Sequence, residues 1–283
     1  MVGALRPAWP YLRCHRRGLA LARHLIHLRW NPNFEPVDDI LDELRELDSI
    51  GNLVYNDAMP GERQFRSVNE ERIQAFATRK NLPLDQARVA WEERREALRK
   101  VNTRPKVKTA LGGHLPLGSH DDTSVEHVNE AWQWGATLCE MPCTLEAARR
   151  AKELGMMVCM GAPNYFRGGS HCGNLSCREA MAEGLVDILC SDFHFPSMLG
   201  SVVMMMREGM EPSAAVNLVT LNAARHLRRD TDLGSIEVGK KADLVAFSPR
   251  DRFAAVTRVW VDGTVRFQSD ARGDVRQPAV GAA

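Results

Sequence analysis

Three consecutive segments of this chain repeat one unit, and the repeat restricts it to a sheet of parallel strands. Thr123 with Glu126 carries a capping-box signature, Gly135 supplies a helix stop, and the apolar run Ala136 to Cys139 ends in Glu140. The second unit opens at Thr144, runs through Leu154 to Gly155 and enters Met156 to Met160. The third opens at Ser176 with Glu179, stops at Gly184 and enters Leu185 to Cys190. Short apolar strands joined by helices of about ten residues imply parallel neighbours, because parallel pairing needs a crossover. The predicted class is α/β.

Upstream, the same pattern places strands at Leu25 to Trp30, at Asn52 to Asn56 and around Leu115 to Ser119, the last ending in His120-Asp121-Asp122. A helix is expected from about Val37 to Leu47, and a charged helical stretch fills Asn69 to Lys100. An open doubly wound sheet could be complete with six strands, but the glycine-rich phosphate turn that usually follows its first strand is missing. The expected architecture is therefore a (β/α)8 TIM-barrel-type fold lacking its first strands. Beyond Asp192 two helices are expected, Ser197 to Glu208 and Pro212 to Leu227, with Met204, Met205 and Met206 as core packing. The period then changes. Ala242 to Phe247 reads as a strand, and Val259-Trp260-Val261, Asp262-Gly263 and Val265-Arg266-Phe267 read as a hairpin. The expected organisation is a leader at 1–18, the incomplete barrel at 19–230, a small β portion at 231–268 and a flexible tail at 269–283.

The first 34 residues hold six arginines and no acid, as a transit peptide would. They lack a clean apolar stretch, however, and Leu19 to Trp30 already reads as a helix end entering a strand, so a misplaced or truncated start accounts better for the segment. Lys and Arg number 37 against 36 Asp and Glu, which leaves no basic excess for nucleic acid. No apolar run reaches the roughly 18 residues of a membrane span. Cys139, Cys159 and Cys190 sit in apolar runs and the total of seven is odd, which reads as a reducing cytoplasm. Neither Cys139 with Cys143 nor Cys172 with Cys177 has the two-residue spacing of a zinc knuckle. A homo-oligomer remains open.

Chemistry is expected at the carboxyl ends of the strands, where a barrel gathers its functional groups. Asp192 lies just past a buried strand and is the first candidate for a catalytic base and metal ligand, facing His120, a second candidate ligand, across the cavity. Asp57 and Glu140 could be further ligands or acceptors that orient imidazole, with a barrel-mouth salt bridge as the equal alternative. The loop Arg167-Gly168-Gly169-Ser170-His171 joins a fixed cation, two permissive backbones that could form an anion nest and a hydroxyl. Arg63 could be a second phosphate contact or a surface charge, and His194 and His226 read as structural.

Together, His24-Leu-Ile-His27-Leu-Arg29, Asp57 with Pro60-Gly61-Glu-Arg63-Gln-Phe65, Ser119-His120-Asp121-Asp122, Glu140-Met-Pro142, Gly161-Ala-Pro-Asn164 with Arg167-Gly-Gly-Ser-His171, and Ser191-Asp192 resemble the metal-dependent amidohydrolase superfamily. Within it they are similar to the diphosphatases of phosphonate metabolism, in the carbon–phosphorus lyase pathway. The resemblance implies a phosphorylated-sugar substrate, cleavage of a 5-triphosphate to the 5-phosphate and pyrophosphate by metal-activated water, and Asn164 among the substrate contacts. It implies one or two divalent ions, with zinc as the default for histidine and carboxylate ligands and manganese or another ion as alternatives. It also implies a preceding strand with a His-x-Asp or His-x-His motif, which this sequence does not contain. Two positions depart from the pattern: Asn31 stands where a glutamate is expected, and Ala58 where a histidine is expected. Two other readings compete: hydrolysis of a cyclic amide or N-acyl bond by the same ligands, and a non-catalytic remnant that binds a phosphorylated sugar.

Overall fold

The computed structural model describes residues 22–33, 38–47, 49–57, 70–111 and 113–269. The leader at 1–18, Arg63 and nearly all of the tail lie outside the described residues. The elements run β1 (Ile26–Trp30), α1 (Asp38–Arg45), β2 (Ile50–Tyr55), α2 (Glu70–Lys80), α3 (Leu84–Arg99), α4 (Arg104–Ala110), β3 (Leu117–His120), α5 (Val125–Gln133) and β4 (Leu138–Glu140). They continue with α6 (Leu145–Glu153), β5 (Met157–Gly161), α7 (Ala162–Arg167), α8 (Cys177–Ala182), β6 (Ile188–Cys190), α9 (Pro196–Arg207), α10 (Pro212–Asn217), α11 (Leu221–His226), β7 (Leu244–Arg250), β8 (Phe253–Val261) and β9 (Thr264–Gln268).

The first six strands form one sheet, all parallel, in the order β1-β2-β3-β4-β5-β6. The order never reverses, so there is no switch point of the doubly wound kind, and the sheet curls as an open part of a barrel. Register sorts the side chains into two faces. Arg29, Val54, Gly118, Leu138 and Met157 lie in one row across five strands, and His120, Glu140, Cys159 and Ile188 form the next. These rows line the concave face, where Val54, Leu138, Cys159 and Ile188 make a small buried cluster. The alternate residues face the helices: Leu28, Trp30, Leu53 and Tyr55 pack with α1 and α4, while Cys139, Val158, Met160 and Leu189 pack with the helices from α5 onward.

Several boundaries differ from the sequence reading, each for a local reason. The stretch Asn69 to Lys100 is two helices, because Asn81 adopts a left-handed φ of 53° and Pro83 precedes the next start. The expected helix Pro212 to Leu227 is also two, since the Leu218 carbonyl turns to accept the Leu189 N–H of β6 at 2.8 Å. The cap of α5 is Ser124, one residue beyond Thr123, and its hydroxyl accepts the His127 N–H. At α6 the expected Thr144 cap forms, accepting the Ala147 N–H at 3.1 Å. Ser176 makes no side-chain cap; Asn164 Oδ1 accepts the Cys177 N–H at 3.0 Å in its place. Helices α4 and α7 were not anticipated.

The small β portion is a three-stranded antiparallel sheet, β7-β8-β9, whose tight turn has positive φ at Asp262 (49°) and Gly263 (75°), as a two-residue hairpin loop requires. It meets the barrel through α9. A Cβ at Gly200 would lie 2.6 Å from Phe166 Cε2 and 3.1 Å from the Arg252 carbonyl oxygen. The Phe166 ring cannot retreat freely, since Phe253 packs on it at 5.4 Å and the Arg252 guanidinium covers it at 4.7 Å. Gly200→Ala should therefore destabilise the chain by about 1–3 kcal/mol despite the better helix propensity of alanine. Urea unfolding of the two proteins measures this, and unchanged or raised stability would contradict the packing.

Candidate functional site

Two groups of polar residues occupy the carboxyl ends of the strands. The first centres on Glu140, 1% exposed at the end of β4. Arg29 donates to its Oε1 at 2.6 Å and His27 Nε2 lies 3.1 Å from its Oε2, both reaching from β1. In a flat sheet β1 and β4 would stand about 14 Å apart at three strand spacings, so this direct contact depends on the curl. His120 Nε2 is 3.6 Å from the same carboxylate, and its Nδ1 is 2.7 Å from Asp121 Oδ2. Asp122, wholly buried, accepts hydrogen bonds from the Ser119 hydroxyl and the Cys139 thiol. Burial alone would push the Glu140 carboxyl up. The hydrogen bond and charge of His27, with the charges of His120 and Arg29, overcome it and hold the group at about 2.

The second group lines a small cavity of about 80 Å³ between the turns after β3, β4, β5 and β6. Asp121, Asp192, Asn164, Arg167, Ser170 and His171 all reach it. Asp121, Met141 and Asp192 each follow a strand with positive φ, 59°, 53° and 47°. Such backbones are uncommon outside glycine, and here they turn the chain inward at three strand ends. Asp192 is exposed, and His171 stands edge-on to Phe193 with ring centroids 6.0 Å apart.

The structure thus brings Asn164, Arg167, Ser170, His171 and Asp192 to one cavity and places His120 and Glu140 in the adjoining charge cluster. It does not add Asp57, whose carboxylate accepts from Arg104 at 3.3 Å. That guanidinium is nearly buried and stacked 3.9 Å over Trp134, so Asp57 takes the salt-bridge alternative. The anion nest also needs correction. Gly168 ends α7 with φ 93°, and the Gly168 and Gly169 N–H groups both turn back to the Asn164 carbonyl, at 3.1 and 2.9 Å. The Asn164 amide is similarly engaged, donating to the Leu175 carbonyl at 3.0 Å and accepting from Cys177. Ser170 Oγ accepts the N–H groups of Cys172 and Asn174, both at 3.2 Å, while its own proton is left to donate. These contacts make Gly168, Gly169 and Asn164 the framework of the loop, with Arg167, Ser170 and His171 as its presented groups.

Among the described residues no three of His, Cys, Asp and Glu converge on a point where an ion could sit. Glu140 is engaged by cations, Asp57 by Arg104, and Asn31 turns its Oδ1 to the Asn33 N–H at 2.9 Å. The described residues do not fit a metal centre. Sequence reasoning missed His27 and Arg29 as members of the site, although their alternation along β1 puts both on one face of the strand. His226, which the sequence reads as structural, is buried and lines a separate cavity inside the curl.

The model of the Amidohydrolase family matches residues 143–267. The chain is 33% identical over 255 residues to the alpha-D-ribose 1-methylphosphonate 5-triphosphate diphosphatase of Escherichia coli strain K12, covering 88% of this chain and 67% of that protein. It is 33% identical over 135 residues to an adenine deaminase of Clostridium botulinum, covering 44% of this chain and 22% of that enzyme. An amidohydrolase structure from Thermotoga maritima aligns with a TM-score of 0.48 at 20% identity, over 86% of this chain and 63% of that one.

The depressed Glu140 carboxyl makes a stability statement with a definite sign. Its folded value near 2 lies below the ordinary 4.5, so its contribution is complete above about pH 4.5 and disappears as pH falls toward 2. The difference corresponds to on the order of 3 kcal/mol. Denaturant unfolding at stepped pH should show wild type losing that much more stability than Glu140→Gln across the window. Parallel curves for the two proteins would mean that the carboxylate is not held as described.

Proposed function

The chain belongs to the amidohydrolase family, and we propose that it hydrolyses the 5-triphosphate of a phosphorylated ribose in phosphonate metabolism, releasing pyrophosphate. One observation carries the reading: a single cavity joins an exposed carboxylate, Asp192, to a cationic loop that presents Arg167, Ser170 and His171. The relative of 33% identity across 88% of the chain supports the substrate class. At about 80 Å³ the cavity is small beside the roughly 300–1,000 Å³ of whole-ligand pockets, which suits one phosphoryl end of a longer molecule. Arg167 offsets charge on the phosphoryl oxygens, His171 and the Ser170 hydroxyl donate hydrogen bonds to them, and Asp192 accepts the proton of the attacking water. The exposed loop orients; the carboxylate at the strand end moves the proton.

Two other readings have specific support. Hydrolysis at a carbon–nitrogen bond, the chemistry of the amide reading, is favoured by the similarity to adenine deaminase, over less than half of the chain. Binding of a phosphorylated sugar without turnover is favoured by the absence, among the described residues, of converging metal ligands. Pyrophosphate release from a ribose 5-triphosphate, measured with elemental analysis of the same sample, separates the three. Under the proposal Asp192→Asn lowers kcat by about 10²-fold or more, and Arg167→Ala raises KM by about 10-fold with a smaller effect on kcat. Turnover of an amide with Arg167→Ala unaffected would transfer the assignment to the amide reading. Substrate binding with no product in any metal-supplemented buffer would establish the non-catalytic one, whereas stoichiometric metal with pyrophosphate release would end it.

A further inference from the structure

Arg167 is the fixed cation of the Asp192 cavity and the last residue of α7, a helix of six residues. A helix that short is marginal in water by itself, so the place of Arg167 depends on what holds α7 from outside. Helix α9 holds its start and middle: the Ser201 hydroxyl donates to the Ala162 carbonyl at 3.1 Å, and the Tyr165 hydroxyl donates to Glu208 at 2.6 Å. Its end is held from the small β portion. Strands β7 and β8 are joined by two residues, since Arg250 pairs with Phe253, and Asp251 in that turn takes a left-handed φ of 47°. Arg252, the second turn residue, reaches α7.

The last carbonyls of a helix have no partner within it. In α7 those of Asn164 and Tyr165 accept the Gly168 and Gly169 N–H groups, and that of Phe166 accepts Arg252 Nη2 at 2.5 Å. The same guanidinium lies 4.7 Å over the Phe166 ring, which also meets Phe253 at 5.4 Å and the close approach of Gly200. Phe166 is thus held by main chain and side chain at once, one residue before Arg167. The Arg167 guanidinium in turn donates to the Gly169 carbonyl at 3.2 Å, so it follows the path of the backbone from 167 to 169.

We propose that Arg252 is a positioning residue for the Asp192 cavity: by gripping Phe166 it fixes the end of α7 and sets where Arg167 meets the triphosphate. The assignment rests on the phosphate reading of that cavity. Arg252 is not among the residues that line it, so its effect on a ligand passes through Phe166 and Arg167. Displacement of a charge-assisted donor by about 1 Å is enough to weaken its bond to a phosphoryl oxygen.

Calorimetric titration of the full chain with a ribose 5-triphosphate, beside hydrogen exchange of glycine amides read by NMR, tests this. Arg252→Ala should weaken binding about 10-fold. It should also speed exchange at the Gly168 and Gly169 N–H groups at least about 10-fold, while the Gly155 N–H, at the end of α6, exchanges as in wild type. A merely structural role would speed all three alike and leave the affinity of the folded protein unchanged. In an Arg167→Ala background, Arg252→Ala should cost less than about 2-fold further, because the group it positions is gone. The proposal is overturned if Arg252→Ala binds as wild type does, if its loss is undiminished beside Arg167→Ala, or if exchange at Gly168 and Gly169 is unchanged. Absence of triphosphate binding by wild type would end the phosphate reading and this assignment with it, whereas binding that Arg252→Ala leaves intact would end the assignment alone. Should Arg252→Ala fail to fold by circular dichroism, Arg252→Met, which keeps cover over the ring and loses the donor, takes its place with the same expectations.

Discussion

A carboxylate buried to 1% exposure would be among the most costly groups in the molecule if it stood alone, and Glu140 does not. Arg29 and His27 cross from β1 to meet it, over the two strands that lie between. The contact closes only because the sheet curls, and once made it resists flattening, since opening the curl would leave the charge uncompensated. Two cavities lie near this cluster, one at the mouth around Asp192 and one inside the curl around His226, the latter lined by Glu140 and His27 themselves.

Around that centre the attachments are short and specific. Arg252 donates to the Phe166 carbonyl and covers the Phe166 ring, which ties the turn before β8 to α7 and thus to the loop that carries Arg167. Arg23, just before β1, pairs with Asp243 and Asp262 of the small β portion. The β portion is therefore linked both to the first strand of the sheet and to the helix that follows β5. Exposed ion pairs contribute little individually. The aromatic packing and the close approach at Gly200 do more to fix the relative position of these parts.

Much of the architecture could be read without coordinates, because capped helices, glycine stops and short apolar strands are local signals. Thr144 caps where its sequence says, Gly135 and Gly155 adopt positive φ, and the Asp262-Gly263 turn forms. Tertiary demands decided the failures. Leu218 gives its carbonyl to β6 and breaks a helix, while Asn164 replaces Ser176 as a cap because folding brings it beside the Cys177 N–H. The glycines after Arg167 looked free to cradle an anion, and in the fold their N–H groups close the end of α7. Asp57 could have been a ligand or half of a salt bridge, and the choice rested on Arg104, 47 positions away in the chain.

The sequence by itself determined the parallel α/β class, the position of the polar residues at strand ends and the antiparallel hairpin, since each follows from periodicity or spacing within about thirty residues. Only the tertiary structure decided which of those polar residues share a space. Compensation of a buried charge selects partners from distant strands, and so Glu140 took Arg29 and His27. The same long-range packing left His226 facing a cavity, a placement that no local pattern around it encodes.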